Sequence, residues 1–205
     1  SGSILVSLGN ISTLQYLEIK GNNLNGSLPN FAKSAQLILL EVSGNQLGGK
    51  LPRSLANCTR FSILDVGNNM MYDTFPFWLG KLPALDVLDI ASNDFYGELS
   101  LDFLQATRLR SFRIRRNKLK GKVPKSLANC TKLEVLDLGN NMVHDTFPYW
   151  LHKLPSLKVL ILRANGFHGA IKISGSTENG FPMLRILDIA SNNFLGELPI
   201  NFFQS

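Results

Sequence analysis

The chain has 205 residues, 44% of them hydrophobic, and a formal net charge of +6. It contains no apolar run of 18 residues, no signal-peptide pattern and no low-complexity linker, so we expect no part of it to contact or cross a membrane. Nine of its 21 basic residues fall between residues 108 and 125, a run without any acidic residue. The positive charge is therefore local, and nucleic-acid binding would need a continuous basic stripe with interleaved aromatics that the sequence lacks.

The two ends of the chain match parts of a repeating unit. Residues 8–11 (LGNI) align with residues 55–58 (LANC), which belong to the closing half of that unit. The last unit stops at Ser205, before its own closing half. Terminal units of a repeat array normally carry a polar cap, and none is recognisable here. We expect residues 1–205 to form a single solenoid segment taken from a longer array.

Between these ends, the motif L-x-x-L-x-L-x-x-N-x-L occurs eight times, and its ninth place is Asn in every copy. A period of about 24 residues with this pattern is typical of leucine-rich repeats. The sequence predicts a leucine-rich-repeat solenoid of class α/β with a parallel concave sheet. The repeats begin at Leu14, Leu37, Phe61, Leu85, Leu109, Leu133, Leu157 and Leu184.

Each repeat has a predictable internal order. Places three to seven alternate as a strand does, with even places facing the core and odd places facing outward on the concave side. The ninth-place Asn is expected to satisfy backbone groups of the turn that follows. Segments such as Lys125–Asn129 should return along the convex side as short 3₁₀ or α turns. Trp78 and Trp150 fall in this return, where we favour packing over a sugar-binding role.

Two stretches of the chain are near copies. Residues 52–100 and 124–172 are identical at 28 of 49 positions without a gap, at a spacing of 72 residues, or three repeats. Cys58 and Cys130 occupy equivalent core places in the two copies. At about 15 Å apart they are too distant for a disulfide, so we predict two buried thiols.

Catalysis, cofactor binding and metal binding are not indicated. The three histidines, His144, His152 and His168, lie outside the concave strand positions and have no nucleophile fixed near them. No glycine-rich phosphate loop or metal-ligand spacing occurs. We therefore predict a protein that is not an enzyme and has no cofactor and no metal.

The outward fifth places form an acidic column with one arginine in it. They are Glu18, Glu41, Asp65, Asp89, Arg113, Asp137, Ile161 and Asp188. Carboxylates about 5 Å apart repel one another, which would raise their pKa values. Arg113 lies between Asp89 and Asp137, either as a lateral salt bridge or as a ligand-binding group.

The seventh places add two more arginines, Arg115 and Arg163. Arg115 has no acidic residue directly beside it, so we predict that it is free to bind a carboxylate, sulfate or phosphate. Arg116 and Lys118 should line the rim of the same face. The predicted ligand site comprises Arg113, Arg115, Arg116, Lys118, Arg163, Asp89 and Asp137.

Two further features concern the surface. Asn-x-Ser/Thr sequons occur at Asn10, Asn25, Asn57 and Asn129, which are glycosylation candidates if the protein is secreted. The seventh repeat is three residues longer than the others through residues 173–180. This polar insertion is expected to bulge as a loop, with or without a binding role.

Four stretches carry a family resemblance: LANCTKLEVLDLGNN at 127–141, DTFPYWL at 145–151, LPSLKVLILR at 154–163 and FPMLRILDIASNNF at 181–194. Together they resemble plant-type extracellular leucine-rich repeats, specifically the ectodomains of plant receptor-like proteins of the disease-resistance class. The resemblance implies an extracellular location in the ectodomain of a plasma-membrane protein. It also implies a co-receptor surface in later repeats that this chain does not contain.

Three functions follow from these observations. The leading hypothesis is a ligand-recognition module in plant defence signalling that binds a peptide, protein or glycan, with an acidic ligand favoured by the arginines. The second is a soluble inhibitor of a pathogen hydrolase. The third is a structural spacer between functional repeats.

Overall fold

The computed structural model describes residues 2–33, 35–99, 107–171 and 181–198. Its main sheet has eight parallel strands that pair in sequence order, one from each repeat. This confirms the leucine-rich-repeat solenoid. Each strand occupies places three to five, which is shorter than the predicted places three to seven. The strands of this concave sheet are Tyr16–Glu18, Leu39–Glu41, Ile63–Asp65, Val87–Asp89, Ser111–Arg113, Val135–Asp137, Val159–Ile161 and Ile186–Asp188.

A second row of short strands, the flank strands, follows the turn at place nine. Four of them form one parallel sheet: Gly2–Ser3, Leu24–Ser27, Gln46–Gly49 and Met70–Met71. Three more form a second sheet, Tyr96–Glu98, Lys118–Gly121 and Met142–Val143, and His168–Ala170 pairs with Asn193–Leu195.

The convex side is made of short 3₁₀ helices, as the sequence predicted. Within the described ranges they are Val6–Asn10, Arg53–Asn57, Phe77–Lys81, Lys125–Asn129 and Tyr149–Lys153. Four of these five follow a proline that precedes the first helical residue, which fits because proline fixes φ and has no N–H to leave unpaired. The polar insertion at 173–180 lies outside the described residues.

The core runs the length of the solenoid between the sheet and the helices. The apolar residues of places one, four, six and eleven supply more than half of its buried residues, and many have no exposed surface. Cys58 and Cys130 are buried free thiols, which confirms the predicted register at that place. Burial raises the pKa of Cys58, and it raises the pKa of Cys130 to about 12.

The ninth-place asparagines form the predicted ladder along the turn. Asn93 is a representative member: its Nδ2 donates to the carbonyl oxygens of Val66 at 2.9 Å and Ile90 at 3.3 Å. Its Oδ1 accepts from the N–H of Met71 at 2.9 Å. From Asn45 onward, each of these side chains ties its own strand end to the preceding repeat. Asn22 instead donates to Ile19 and Lys20 of its own repeat.

The residue just before each asparagine adopts a left-handed backbone. Two of these eighth-place residues are Gly21 and Gly44, for which positive φ carries no steric cost. The other six are not glycine and have φ between 50 and 56°: Asn68, Ser92, Arg116, Asn140, Ala164 and Ser191. Such backbone is costly for a bulky residue, so the turn geometry overrides local preference at Arg116.

In the part of the chain that the structure describes, no helix has the length and apolar character needed to cross a membrane.

Candidate functional site

The concave sheet presents parallel columns of side chains because the strands pair in register. The third places form a mainly apolar, half-exposed column that runs from Tyr16 through Leu39, Ile63 and Val87 to Val135. Ser111 interrupts it in the fifth repeat. An extended chain laid across the strands would therefore meet an apolar track beside the charged column.

The fifth-place aspartates have a structural role that the sequence reasoning missed. Asp137 Oδ1 accepts from the N–H of Gly139 at 3.0 Å, and Asp89 Oδ1 accepts from the N–H of Ala91 at 2.9 Å. Asp65 with Gly67 and Asp188 with Ala190 repeat this bond. The aspartates cap the backbone where it leaves the strand, so Asp89 and Asp137 have a structural role as well as their predicted place in the ligand site. The signal was present as Asp-x-Gly/Ala in each of these repeats.

Burial is the main cause of the raised pKa values of these aspartates. The pKa of Asp137 is raised chiefly because its side chain is buried, and the N–H of Gly139 and then Arg115 partly offset this. The pKa of Asp89 is raised for the same first reason, with repulsion from Asp65 a smaller cause. The expected repulsion between carboxylates does raise both pKa values, but burial is the larger cause because these side chains lie against the backbone.

The three concave arginines are exposed, with 48–49% of each side chain accessible. Arg113 Nη1 lies 3.7 Å from Asp89 Oδ2, which supports the predicted lateral pair. Arg163 Nη1 lies 3.1 Å from Asp188 Oδ2.

The prediction that Arg115 has no acidic partner was wrong. Its Nε lies 3.9 Å from Asp137 Oδ2, because a long side chain at place seven reaches diagonally to place five of the next repeat. The contact is too long for a hydrogen bond. Arg113 and Arg115 are therefore weakly paired cations that a ligand anion could engage with little loss.

The other two predicted basic residues lie off the concave strands. Arg116 is exposed and occupies the left-handed turn position. Lys118 opens a flank strand, where its Nζ lies 2.7 Å from Asp94 Oδ1. Of the two residues predicted at the rim, Arg116 lies in the turn beside the concave strand and Lys118 lies at the start of a flank strand.

A second charged column, at place two, was not predicted. Arg110 Nε donates to Asp86 Oδ1 at 2.6 Å, and Lys158 Nζ donates to Glu134 Oε2 at 2.6 Å. Lys158 holds the pKa of the Glu134 carboxyl below its usual value. These four residues alternate in sign from repeat to repeat, and that alternation at a 24-residue spacing was visible in the sequence.

The concave arginines have no counterparts three repeats earlier. At the positions of Arg113, Arg115 and Arg163, the residues 72 places earlier are Glu41, Ser43 and Ala91, whereas Asp137 matches Asp65. The acid that caps the backbone is thus kept at both places, and the arginines are not. All three concave arginines belong to the later part of the chain.

The predicted glycosylation sites are accessible, since Asn10, Asn25, Asn57 and Asn129 all have exposed side chains. Among the described residues, no three His, Cys, Asp or Glu side chains lie close enough together to hold a metal ion.

Comparison with family models gives one consistent result. A model described as leucine rich repeat matches residues 107–167, and a second with the same description matches residues 13–34, 36–58 and 183–205. These segments together cover more than half of the chain.

Among curated proteins, receptor-like protein 32 of Arabidopsis thaliana is 34% identical over 205 residues, which is 99% of this chain and 14% of that protein. Shorter stretches of 44–47 residues are 45–53% identical to other receptor-like proteins of the same plant. The chain spans 4–6% of those proteins.

Two solved structures show the same architecture. The plant peptide hormone receptor RGFR1 in complex with RGF2 aligns with a TM-score of 0.83 and 25% identity, covering 94% of this chain and 34% of that one. The Arabidopsis receptor kinase HAESA, in complex with the peptide hormone IDA and the co-receptor SERK1, aligns with a TM-score of 0.74 and 26% identity. That match covers 98% of this chain and 37% of HAESA.

Proposed function

Because this chain belongs to the leucine-rich-repeat family, with the repeats of plant receptor-like proteins, we propose that it is the ligand-recognition segment of a cell-surface defence receptor. In this proposal it acts outside the cell, performs no catalysis and binds its ligand on the concave sheet. A co-receptor would bind elsewhere in the whole protein.

The observation that carries the proposal is the placement of Arg113, Arg115 and Arg163. They stand on one face, half exposed, in weak or surface ion pairs. Pairs of this kind contribute about 0–1 kcal/mol each to stability. Exposed arginines that the fold does not need are suited to a ligand, since the guanidinium binds carboxylate or sulfate through two parallel hydrogen bonds.

The ligand that this face suits best is an extended acidic peptide. The apolar third-place column would take its hydrophobic side chains, and the arginines would take its carboxylates or sulfates. That RGFR1 and HAESA are solved with peptide hormones supports a peptide over a glycan. An open sheet face also suits an extended chain better than a small compact molecule.

Selection from a displayed library of random peptides tests this function and identifies a ligand in the same experiment. The parent protein should enrich peptides that carry Asp, Glu or sulfotyrosine. A double variant, Arg115→Ser with Arg163→Ala, restores the residues found 72 places earlier and should not enrich them. A matched control, Lys20→Ser, removes a concave cation at the same place of the first repeat and should select as the parent does.

Two outcomes would contradict the proposal. Enrichment of the same peptides by parent and double variant would remove the arginines from the site. Inhibition of microbial wall-degrading enzymes by the parent, with no peptide enriched, would favour a hydrolase inhibitor instead.

A further inference from the structure

Two grooves of similar size lie on the flank and convex side, at equivalent positions in the two near-copies. Both lie where the third and sixth repeats lack the glycine that the other repeats carry at place thirteen. Asp73 and Asp145 stand in its place, and each is followed by Thr-Phe-Pro and a 3₁₀ helix. The earlier groove has a volume of about 580 Å³ and the later one about 620 Å³. These volumes are within the range of ligand-binding sites.

The aromatic linings of the two grooves differ in accessibility. In the earlier groove Trp78 is 8% exposed, and the guanidinium of Arg53 lies over the ring of Phe77, 5.3 Å from its centroid. That cation covers one face of the exposed ring. In the later groove Tyr149 is 43% exposed, similar to the 50% of Phe77, and its ring stacks near that of His152 with 6.5 Å between centroids. Trp150 packs against the core, as expected, but is only half-buried. The later groove therefore differs from the earlier one chiefly in exposing part of its tryptophan.

The lysines of the two grooves also differ, in whether they form ion pairs. In the earlier groove, Lys50 Nζ lies 3.9 Å from Asp73 Oδ1. The later groove is lined by Lys122, Lys125 and Lys153, all exposed, and none of them forms an ion pair with any residue that the structure describes.

The carboxylate of the later groove is already engaged by the backbone. Asp145 Oδ2 accepts from the N–H of Val123 at 3.1 Å, and Oδ1 accepts from the N–H of Thr146 at 2.9 Å. Both of its oxygens therefore bind backbone N–H groups, and it forms no ion pair with a described lysine. The later groove thus combines accessible aromatic rings with three cations that have no fixed partner among the described residues.

We propose that the later groove, lined by Lys122, Lys125, Tyr149, Trp150 and Lys153, binds an anionic oligosaccharide of the uronate type. A sugar ring presents a flat apolar face that stacks on an aromatic side chain. A uronate also carries one carboxylate per ring, and each could bind a lysine ammonium by a charge-assisted hydrogen bond. This site is separate from the concave sheet and does not depend on the proposed peptide ligand.

Titration calorimetry with a linear hexamer of α-1,4-linked galacturonate tests the proposal on the whole chain. The parent should bind it saturably, and the fully methyl-esterified hexamer should bind at least about tenfold more weakly because it keeps the rings and loses the charges. A hexaglutamate peptide should also bind at least about tenfold more weakly, because it has the charges and lacks the rings.

Matched variants locate the site. Lys125→Gln with Lys153→Gln should weaken galacturonate binding about tenfold or more. A control pair in the earlier groove, Lys50→Gln with Arg53→Gln, should change it by less than about twofold because those cations line the other groove. Melting temperatures measured alongside show that each variant is folded.

Several results would overturn the proposal. They are no binding of the hexamer by the parent, equal binding of the methyl ester, equal binding of hexaglutamate, or equal loss in both pairs of variants. Equal binding of the ester would mean a neutral glycan site, and equal binding of the peptide would mean charge attraction alone. Because the concave arginines are unchanged in these variants, failure here leaves the peptide proposal untouched.

Discussion

The two near-copies, residues 52–100 and 124–172, bury apolar residues at the same places and differ in charge on the surface. Cys58 and Cys130 are both buried, and Asp65 and Asp137 both cap the backbone at a strand end. Where the earlier copy has Ala91 on the concave face, the later one has Arg163. The flank groove of the earlier copy holds a guanidinium over an aromatic ring, and that of the later copy holds lysines without ion pairs to the described residues. Buried places that stay apolar, even where Phe61 is matched by Leu133 and Met71 by Val143, combined with changes of charge at exposed positions, are what a binding scaffold requires.

The largest effect concerns the shared interior. Because burial raises the pKa of both Cys58 and Cys130 and blocks access, we expect each thiol to react with a thiol reagent at least about a hundredfold more slowly in the native protein than after unfolding. Reaction with Ellman's reagent in buffer and in denaturant measures both rates. Rapid labelling of only one thiol in buffer would show that Cys58 and Cys130 are not equally buried.

A large effect is also expected at the shared caps. Asp137→Ala leaves the buried N–H of Gly139 without its acceptor, and should lower the free energy of unfolding by about 1.5–3 kcal/mol. Asp65→Ala in the earlier copy should cost a similar amount, and Arg113→Ala should cost about 0–1 kcal/mol. Urea unfolding of the three variants tests this. An Arg113→Ala loss as large as the Asp137→Ala loss would mean that the concave arginines are structural.

A smaller effect concerns the contact between a concave arginine, Arg115, and a capping aspartate, Asp137. Arg115 lowers the pKa of Asp137 against the larger raising effect of burial, so Arg115→Ser should raise that pKa further. With a folded pKa above the unfolded value, this carboxyl stabilises the fold at low pH, and that contribution is lost as the pH rises through the folded pKa. Carboxyl NMR titration of parent and variant reports the shift directly. An unchanged titration would place Arg115 away from Asp137.

The smallest effect lies at the turn before the asparagine ladder. Arg116 has φ of 54°, and the equivalent residue 72 places earlier is Gly44. Arg116→Gly removes steric strain of about 1–2 kcal/mol but adds chain entropy of about 0.5–1 kcal/mol, so we expect a net gain in stability of about 0–1.5 kcal/mol. Thermal unfolding of the variant measures it, and a clear loss would show that the Arg116 side chain makes a stabilising contact.

The sequence predicted those features that depend on the repeat period. The strand positions, the asparagine ladder, the buried cysteines and the convex 3₁₀ helices all follow from which places are apolar or asparagine in every unit. The charged surface was harder to predict because its contacts run between repeats at different places. The diagonal reach of Arg115 to Asp137 depends on side-chain length and strand stagger. The caps made by Asp89 and Asp137 depend on how tightly the chain turns after a strand of only three residues.

The central claim is that the later arginines of the concave face bind an acidic peptide. The most direct measurement is the dissociation constant of one acidic peptide enriched on the parent protein, determined for the parent, Arg115→Ser and Lys20→Ser. We predict that Arg115→Ser weakens the binding free energy by about 1–3 kcal/mol. This is the usual cost of removing one partner of a hydrogen bond between charged groups. Lys20→Ser should leave the constant unchanged. Equal affinity of the parent and Arg115→Ser at low salt would contradict the account.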